Sequence, residues 1–385
     1  MAMSFTFETV RRIESRPGAI KNLGGVLQSL SGHRLLIVTD PGIEKSGLLA
    51  GPLTALTGEM DEVLVYAKVQ ADPPERIVLD AVELARGKNV DIVAGIGGGS
   101  SLDTAKLVAL LAKSPQKLED IYGIGQARGP RLPLVLAPTT AGTGSEVTPI
   151  AIVTTPSLEK KGVVASQLLP DVALLDAELT LSLPSPVTAA TGIDAMVHAI
   201  EAFTSKHLKN PISDALALRA LRLLHANLRK VVADGQNIVA RQAMLDGSLM
   251  AGMAFANAPV AAVHALAYPL GARFHLPHGL CNALMLPHVL AFNIEHDPEI
   301  YAPLAGAILP EKMGRSRAET SRAFVDEMKK LGADVGLPLR LRDAKVPESA
   351  LPEMAADAIK IERLLRNNPC VVTLKDALNL YEQAW

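Results

Sequence analysis

Three short apolar runs, each leading into a helical stretch, most constrain the first half of this chain. Arg34-Leu-Leu-Ile-Val-Thr-Asp40, Glu62–Tyr66 and Asp91–Ile96 read as buried strands. The helix-like IEKSGLLAGPLTAL follows the first, PERIVLDAVELARGKN the second and GGGSSLDTAKLVALLAK the third. Strands that alternate with helices argue for a parallel sheet covered by helices. Beyond Leu183-Pro184-Ser185-Pro186 the β-branched alternation almost vanishes. Helical runs such as SDALALRALRLLHANLRKVV, NIVARQAMLDGSLMAGMAFANAP and TLKDALNLYEQAW replace it. The expected architecture is an α/β domain over residues 1–184 and an all-α domain over residues 185–385.

A chain of 385 residues has room for two domains with cores of their own. Hydrophobic residues make up 49% and charged residues 20%, with a net charge of -2, which offers no basic field for nucleic acid. Two cysteines, Cys281 and Cys370, exclude a disulfide framework and suit a reducing compartment. The opening MAMSFTFETVRRIESRPG lacks the apolar core of a signal peptide. No run reaches the roughly 18 apolar residues of a membrane span. A cytoplasmic protein without nucleic-acid or membrane partners is the expectation.

The stretch from Thr191 to Asn293 carries the first chemical motif. Asp194 and His198 stand four apart in an alanine-rich apolar run, so a helix places both on one face. Pro269, Gly271 and Pro277 stand between His264 and His278, Gly279 follows, and together they argue against one continuous helix. His264 is thus expected to end one helix and His278 to lie near the start of the next. A helix N-terminus disfavours imidazolium and keeps a lone pair available. Either pair alone reads as core packing, but a buried aspartate needs a partner to offset desolvation. One carboxylate and three imidazoles suit a borderline divalent ion such as Fe(II) or Zn(II).

A second motif joins the third apolar run to its helix through Gly97, Gly98, Gly99 and Ser100. Glycines allow close backbone approach, and the free N–H groups of a helix start can receive a diphosphate. The pattern from Gly95 is GxGxxS after the third strand, which departs from the usual dinucleotide fingerprint. Further on, LPLVLAPTTAGTGSEVTPIAIVTT is dense in hydroxyls, and composition alone reads it as a polar loop. Asp40, at the end of the first strand, is placed to accept from ribose hydroxyls and repel a 2′-phosphate, favouring NAD over NADP.

The wording of these stretches resembles the iron-containing (group III) alcohol dehydrogenase family across essentially the whole chain. DAMVHAIEA is similar to its first metal motif and H-A-L-A-x-P-L-G-A-x-x-x-x-P-H-G to its second. On that resemblance Asp194, His198, His264 and His278 are the metal ligands. GGGSSLDTAK resembles the diphosphate loop, which adds Asp103 and Lys106 to Gly97, Gly98, Gly99 and Ser100. PTTAGTGSEVT resembles the segment whose Thr139, Thr140, Thr143, Ser145 and Thr148 contact the dinucleotide, and Lys161 takes a position near the nicotinamide ribose. The resemblance implies a Rossmann-like sheet domain plus a helical domain, as in the dehydroquinate synthase-like architecture. It also implies NAD, Fe(II) or another divalent metal such as Zn(II), and a homo-oligomer. The implied reaction is hydride transfer between a small primary alcohol, diol or hydroxy acid and its aldehyde. The metal would polarise the substrate oxygen, with substrate lying between the domains.

Three departures bear on substrate and proton transfer. Tyr268 stands where many relatives have a histidine, so Tyr268 is a candidate proton relay. Arg273 and His275 occupy positions often aromatic or amide-bearing, which would suit an anionic substrate, and His275 is a candidate catalytic group. Cys370 replaces an arginine and reads as a packed thiol. An alternative function is therefore a hydroxy-acid, semialdehyde or maleylacetate-type reductase. Dehydroquinate synthases are opposed by the intact metal motif, and a non-enzymatic scaffold by the glycine loop. His33, His207, His225 and His296 read as packing or surface residues, His288 as a helix-start residue, and Met244, Met250 and Met253 as core filling.

Overall fold

The computed structural model describes residues 4–157, 159–312 and 314–385, so the first three residues of the N-terminal segment lie outside it. The chain divides into two compact units, Glu8–Leu183 and Pro184–Trp385, the second with the segment before Glu8.

The first unit runs β1 (Arg12–Ser15), α1 (Leu23–Ser29), β2 (Arg34–Val38), α2 (Pro41–Ser46), α3 (Ala50–Leu56), β3 (Glu62–Tyr66), α4 (Glu75–Gly87), β4 (Ile92–Gly97) and α5 (Gly99–Leu111). It continues through β5 (Gly123–Ile124), β6 (Leu134–Pro138), β7 (Ile150–Thr154), β8 (Lys160–Val164) and β9 (Val172–Leu175). Among the described residues, six strands form a sheet in the order β1-β9-β6-β4-β2-β3, every pair parallel. Alternate side chains point to opposite faces. Leu36, Val38, Val93, Leu134 and Leu136 enter one core, and Leu35, Ile37, Ile92, Val135 and Leu174 the other. Burial on both faces explains why these strands read as continuous apolar runs.

Four details differ from the sequence reading. IEKSGLLAGPLTAL makes two helices instead of one, because Gly47 takes a left-handed conformation (φ 76°) and ends α2. The polar segment Arg12–Ser15 forms an edge strand by pairing with Val172–Leu175. The glycine loop therefore follows the fourth strand in chain order, not the third. A smaller sheet, β5-β8-β7, also forms, with β7 and β8 antiparallel.

The second unit is helical among its described residues: α6 (Ser185–Thr204), α7 (Pro211–Ala233), α8 (Ile238–Asn257), α9 (Ala262–Phe274), α10 (His278–His296), α11 (Ala302–Ile308), α12 (Arg317–Asp334), α13 (Leu351–Ile359), α14 (Glu362–Leu365) and α15 (Leu374–Ala384). Asn210 and Asn237 cap α7 and α8 through side-chain oxygens, and Ser316 and Thr373 close capping boxes on α12 and α15. No single described helix is long and apolar enough to cross a membrane.

His264 lies near the start of α9, not at the end of a helix. Pro269 and Gly271 fall inside α9, which continues to Phe274. Nearly every α9 residue from Ala262 to Gly271 is buried, and the Tyr381 hydroxyl donates to the Leu266 carbonyl at 2.6 Å. Tertiary burial here outweighs the local cost of proline. The helix ends where His275 turns left-handed (φ 53°), with Pro277 following. His278 then opens α10.

Candidate metal centre and cofactor loops

Helix α6 carries Asp194, His198 and Glu201 along one side, spaced four and three residues apart. Helix α9 brings His264 to them, and α10 brings His278 with Asn282 one turn later. One ligand atom from each of Asp194, His198, His264 and His278 lies within 4.8 Å of all the others. The imidazoles also pack together: His198 stacks between Phe255 (4.3 Å) and His264 (4.8 Å), and His264 lies 5.3 Å from His278.

The motif Pro-His-Gly has a packing cause. A Cβ on Gly279 would lie 2.4 Å from the Ala190 carbonyl oxygen and 2.7 Å from its carbon. Only glycine lets α10 approach the α6 backbone so closely, and that approach sets His278 beside Asp194.

Glu201 fixes His264. One carboxylate oxygen accepts from Val263 N at 2.7 Å, and the other from Ala261 N at 2.9 Å and His264 Nδ1 at 2.6 Å. An ionised carboxylate only accepts, so Nδ1 carries the proton and Nε2 keeps its lone pair facing the cluster. Burial pushes the Asp194 carboxyl up, yet His198, His278, His264 and the Asn282 donor outweigh burial and hold it below the ordinary range.

Asn282 tests the fit of a cation. Its Nδ2 lies 2.6 Å from Asp194 Oδ1 and 3.2 Å from both His264 Nε2 and His278 Nε2, while its Oδ1 is buried without a hydrogen-bond partner. One amide with two hydrogens thus faces a carboxylate and two imidazole nitrogens. A cluster so rich in acceptors suits a divalent cation, and three imidazoles with one carboxylate form a borderline donor set. Sequence reasoning singled out neither Glu201 nor Asn282. Their signal was helical spacing: seven residues after Asp194 and four after His278, inside apolar runs.

Tyr268 lies next to His278, with ring centroids 6.2 Å apart. His275 does not join this group. It is an exposed residue that ends α9 and makes none of the ring contacts linking the others, so its position gives a catalytic role no support. Arg273 is also turned away from substrate recognition: its guanidinium binds Asp357 (2.5 Å) and Glu353 (2.6 Å) on α13. His288 lies inside α10, not at a helix start, and burial with help from Lys329 lowers its pKa to about 4. His225 binds Glu327 at 2.8 Å, beside Arg229.

In the sheet unit, parallel neighbours β2, β4 and β6 deliver their carboxyl ends side by side, with Val38 opposite Gly95 and Gly97 opposite Pro138. Asp40, Gly97, Gly98 and Thr139 consequently share one edge, the usual ligand edge of an open α/β sheet. Asp40 caps α2, accepting from Gly42 N (2.8 Å) and Ile43 N (3.1 Å). A Cβ on Gly99 would meet Thr143 Cγ2 at 2.8 Å, so the hydroxyl-rich segment closes directly over the glycine turn. Ser100 Oγ accepts from Asp72 N at 3.2 Å.

Ser145, Thr148 and Asp103 are held within the protein. The buried Lys106 ammonium donates to Ser145 Oγ (2.8 Å), Thr148 Oγ1 (3.2 Å) and the Ile150 carbonyl (2.7 Å), and Ser145 donates to Asp103 at 2.6 Å. Burial lowers the Lys106 pKa despite Asp103 at 3.5 Å. Burial also pushes the neighbouring Glu146 carboxyl up to about 7. Lys161 lies on β8, half-exposed, with its ammonium 5.5 Å from the Tyr122 ring centroid.

The family profile for iron-containing alcohol dehydrogenase matches residues 11–177, and that for the C-terminal region of the Fe-containing alcohol dehydrogenase family matches residues 188–385. The chain is 42% identical to long-chain-alcohol dehydrogenase 1 of Geobacillus thermodenitrificans over 373 residues, covering 96% of this chain and 93% of that protein. The crystal structure of 1,3-propanediol oxidoreductase superposes with a TM-score of 0.96 at 36% identity over the full length of both chains. Sulfoacetaldehyde reductase from Bifidobacterium kashiwanohense in complex with NAD+ superposes with a TM-score of 0.89 at 27% identity, covering 100% of this chain and 99% of that one. The chain belongs to the iron-containing alcohol dehydrogenase family and is an oxidoreductase.

Proposed function

We propose that this protein interconverts a small primary alcohol and its aldehyde with NAD(H), at a divalent metal held by Asp194, His198, His264 and His278. The observation that carries this reading is the convergence of the four ligand atoms within 4.8 Å, with the His264 Nε2 lone pair fixed inward by Glu201. When bound, the metal supplies Lewis acidity toward the substrate oxygen, and the nicotinamide supplies or accepts hydride. Fe(II) is the expected ion from the family, with Zn(II) a competent substitute for this donor set. Passage of the substrate proton is assigned to Tyr268, and its ring 6.2 Å from that of His278 supports this reading.

For the cofactor, Gly97, Gly98, Gly99 and Ser100 let the diphosphate approach the start of α5. Thr139, Thr140 and Thr143 line the same turn. Ser145, Thr148 and Asp103 act through the Lys106 network that holds the threonine segment in place. Lys161 is assigned to the nicotinamide ribose. The charge of Asp40 favours NAD over NADP.

The test strips the protein of metal and restores Fe(II), Zn(II), Mn(II), Ni(II) or Mg(II) anaerobically. NADH absorbance is followed with primary alcohols, diols and hydroxy acids, and in reverse with their aldehydes. Turnover that returns with metal and is absent in His264→Ala supports the reading. Turnover indifferent to both metal and His264 overturns it.

A further inference from the structure

Exposure of the four ligand side chains is uneven. Asp194 and His264 are 2% and 3% exposed, whereas His278 is 38% exposed, so the centre opens on the His278 side. The next ring outward is Tyr268. Beyond it lies the guanidinium of Arg363 from α14, its Cζ 5.9 Å from the Tyr268 ring centroid. Among the described residues no carboxylate pairs with Arg363 and none of its side-chain N–H groups makes a hydrogen bond. Arg273, five residues after Tyr268 on α9, makes the opposite case with two carboxylate partners.

A guanidinium drawn to an aromatic face is held by the charge distribution of the ring and spends none of its N–H donors there. Those donors form a fork that matches a planar carboxylate through two parallel hydrogen bonds. We propose that Arg363 recognises a carboxylate at the far end of a short aldehyde or alcohol whose oxygen lies at the His278 side of the centre. This inference rests on the oxidoreductase reading above and adds the substrate class. In the reductive direction the carbonyl carbon takes hydride from NADH, the oxygen takes a proton, NAD+ leaves, and the carboxylate is unchanged. Two steps, from His278 to Tyr268 and from Tyr268 to Arg363, limit the substrate to a chain of a few carbons.

The experiment compares succinate semialdehyde with butanal, four-carbon aldehydes that differ in the terminal carboxylate. It uses the metal-loaded wild type, Arg363→Gln and Arg363→Lys. The ratio of kcat/KM for the acid over the neutral aldehyde is expected to exceed one in the wild type. It should fall about tenfold or more in Arg363→Gln, mainly through KM, and to an intermediate value in Arg363→Lys, which keeps charge and loses the fork. Calorimetric titration of the same proteins with 4-hydroxybutanoate needs no turnover and should show the same order of affinities. A selectivity ratio and an affinity that ignore Arg363 overturn the inference while leaving the oxidoreductase reading standing. Absence of turnover with both aldehydes counts against that reading, and the calorimetry still decides the role of Arg363.

Discussion

Glu201 Oε2 accepts a 2.6 Å hydrogen bond from His264 Nδ1, and both groups are almost wholly buried. The contact determines which imidazole nitrogen is free. Glu201→Gln removes the acceptor-only carboxylate and lets either tautomer of His264 form. Loss of such an orienting partner costs about 10- to 100-fold in metal affinity. The check is a chelator-competition Kd for Zn(II) in wild type and variant, which does not depend on activity. Equal Kd values would show that His264 is oriented by packing alone.

Gly279 predicts a second loss of metal from a different cause. A methyl at this position collides with the carbonyl group of Ala190, which is helix backbone and cannot rotate away. Gly279→Ala should force α10 off α6, destabilise the helical unit by about 1–3 kcal/mol and reduce bound metal per chain. Gly51→Ala on α3, where a Cβ meets nothing within 4 Å, should leave stability equal or slightly raised. Melting temperature and metal content of the two variants give the comparison. A Gly279→Ala protein that melts like Gly51→Ala would show that α10 can adjust.

Much of this organisation was legible because its signals are local. The strands β2, β3 and β4 are short apolar runs, and Asp194–His198 is one helical turn. Features set by distant partners were not legible. Arg12–Ser15 is a strand because Val172–Leu175 pairs with it. Arg273 looked available for an anionic substrate until the fold placed Asp357 and Glu353 against it. Pro269 signalled a break that burial of α9 overrides. In the site, the four ligand candidates carry their chemistry in their side-chain types. Glu201 and Asn282 acquire theirs only from what they touch.

The buried Glu146 predicts a pH dependence of stability. Its folded pKa is raised from 4.5 to about 7, chiefly by burial. Between those values the folded chain holds a proton that the unfolded chain has released. Rising pH therefore favours unfolding across this window, and the loss is complete above it. Relative to wild type, Glu146→Gln should gain up to about 3 kcal/mol between pH 4.5 and pH 8. Melting curves of both proteins at several pH values read this group together with Lys106, whose ammonium the Glu146 charge supports. Parallel curves would show that Glu146 stays ionised beside Lys106 throughout.

One substitution separates the observed capping by Asp40 from the cofactor discrimination proposed for it. Its side-chain oxygen caps α2, and its charge stands at the carboxyl end of β2, where an open α/β sheet meets the ribose of a dinucleotide. Asn caps a helix nearly as well as Asp, so Asp40→Asn should keep the melting temperature close to wild type. Removing the negative charge should also relieve repulsion of a 2′-phosphate. The ratio of kcat/KM for NADP+ over NAD+ is then expected to rise about tenfold, equivalent to 1.4 kcal/mol. Asp40→Ala should show the same change in ratio plus a stability loss of about 1 kcal/mol from the missing cap. A cofactor ratio unchanged in Asp40→Asn would confine Asp40 to capping.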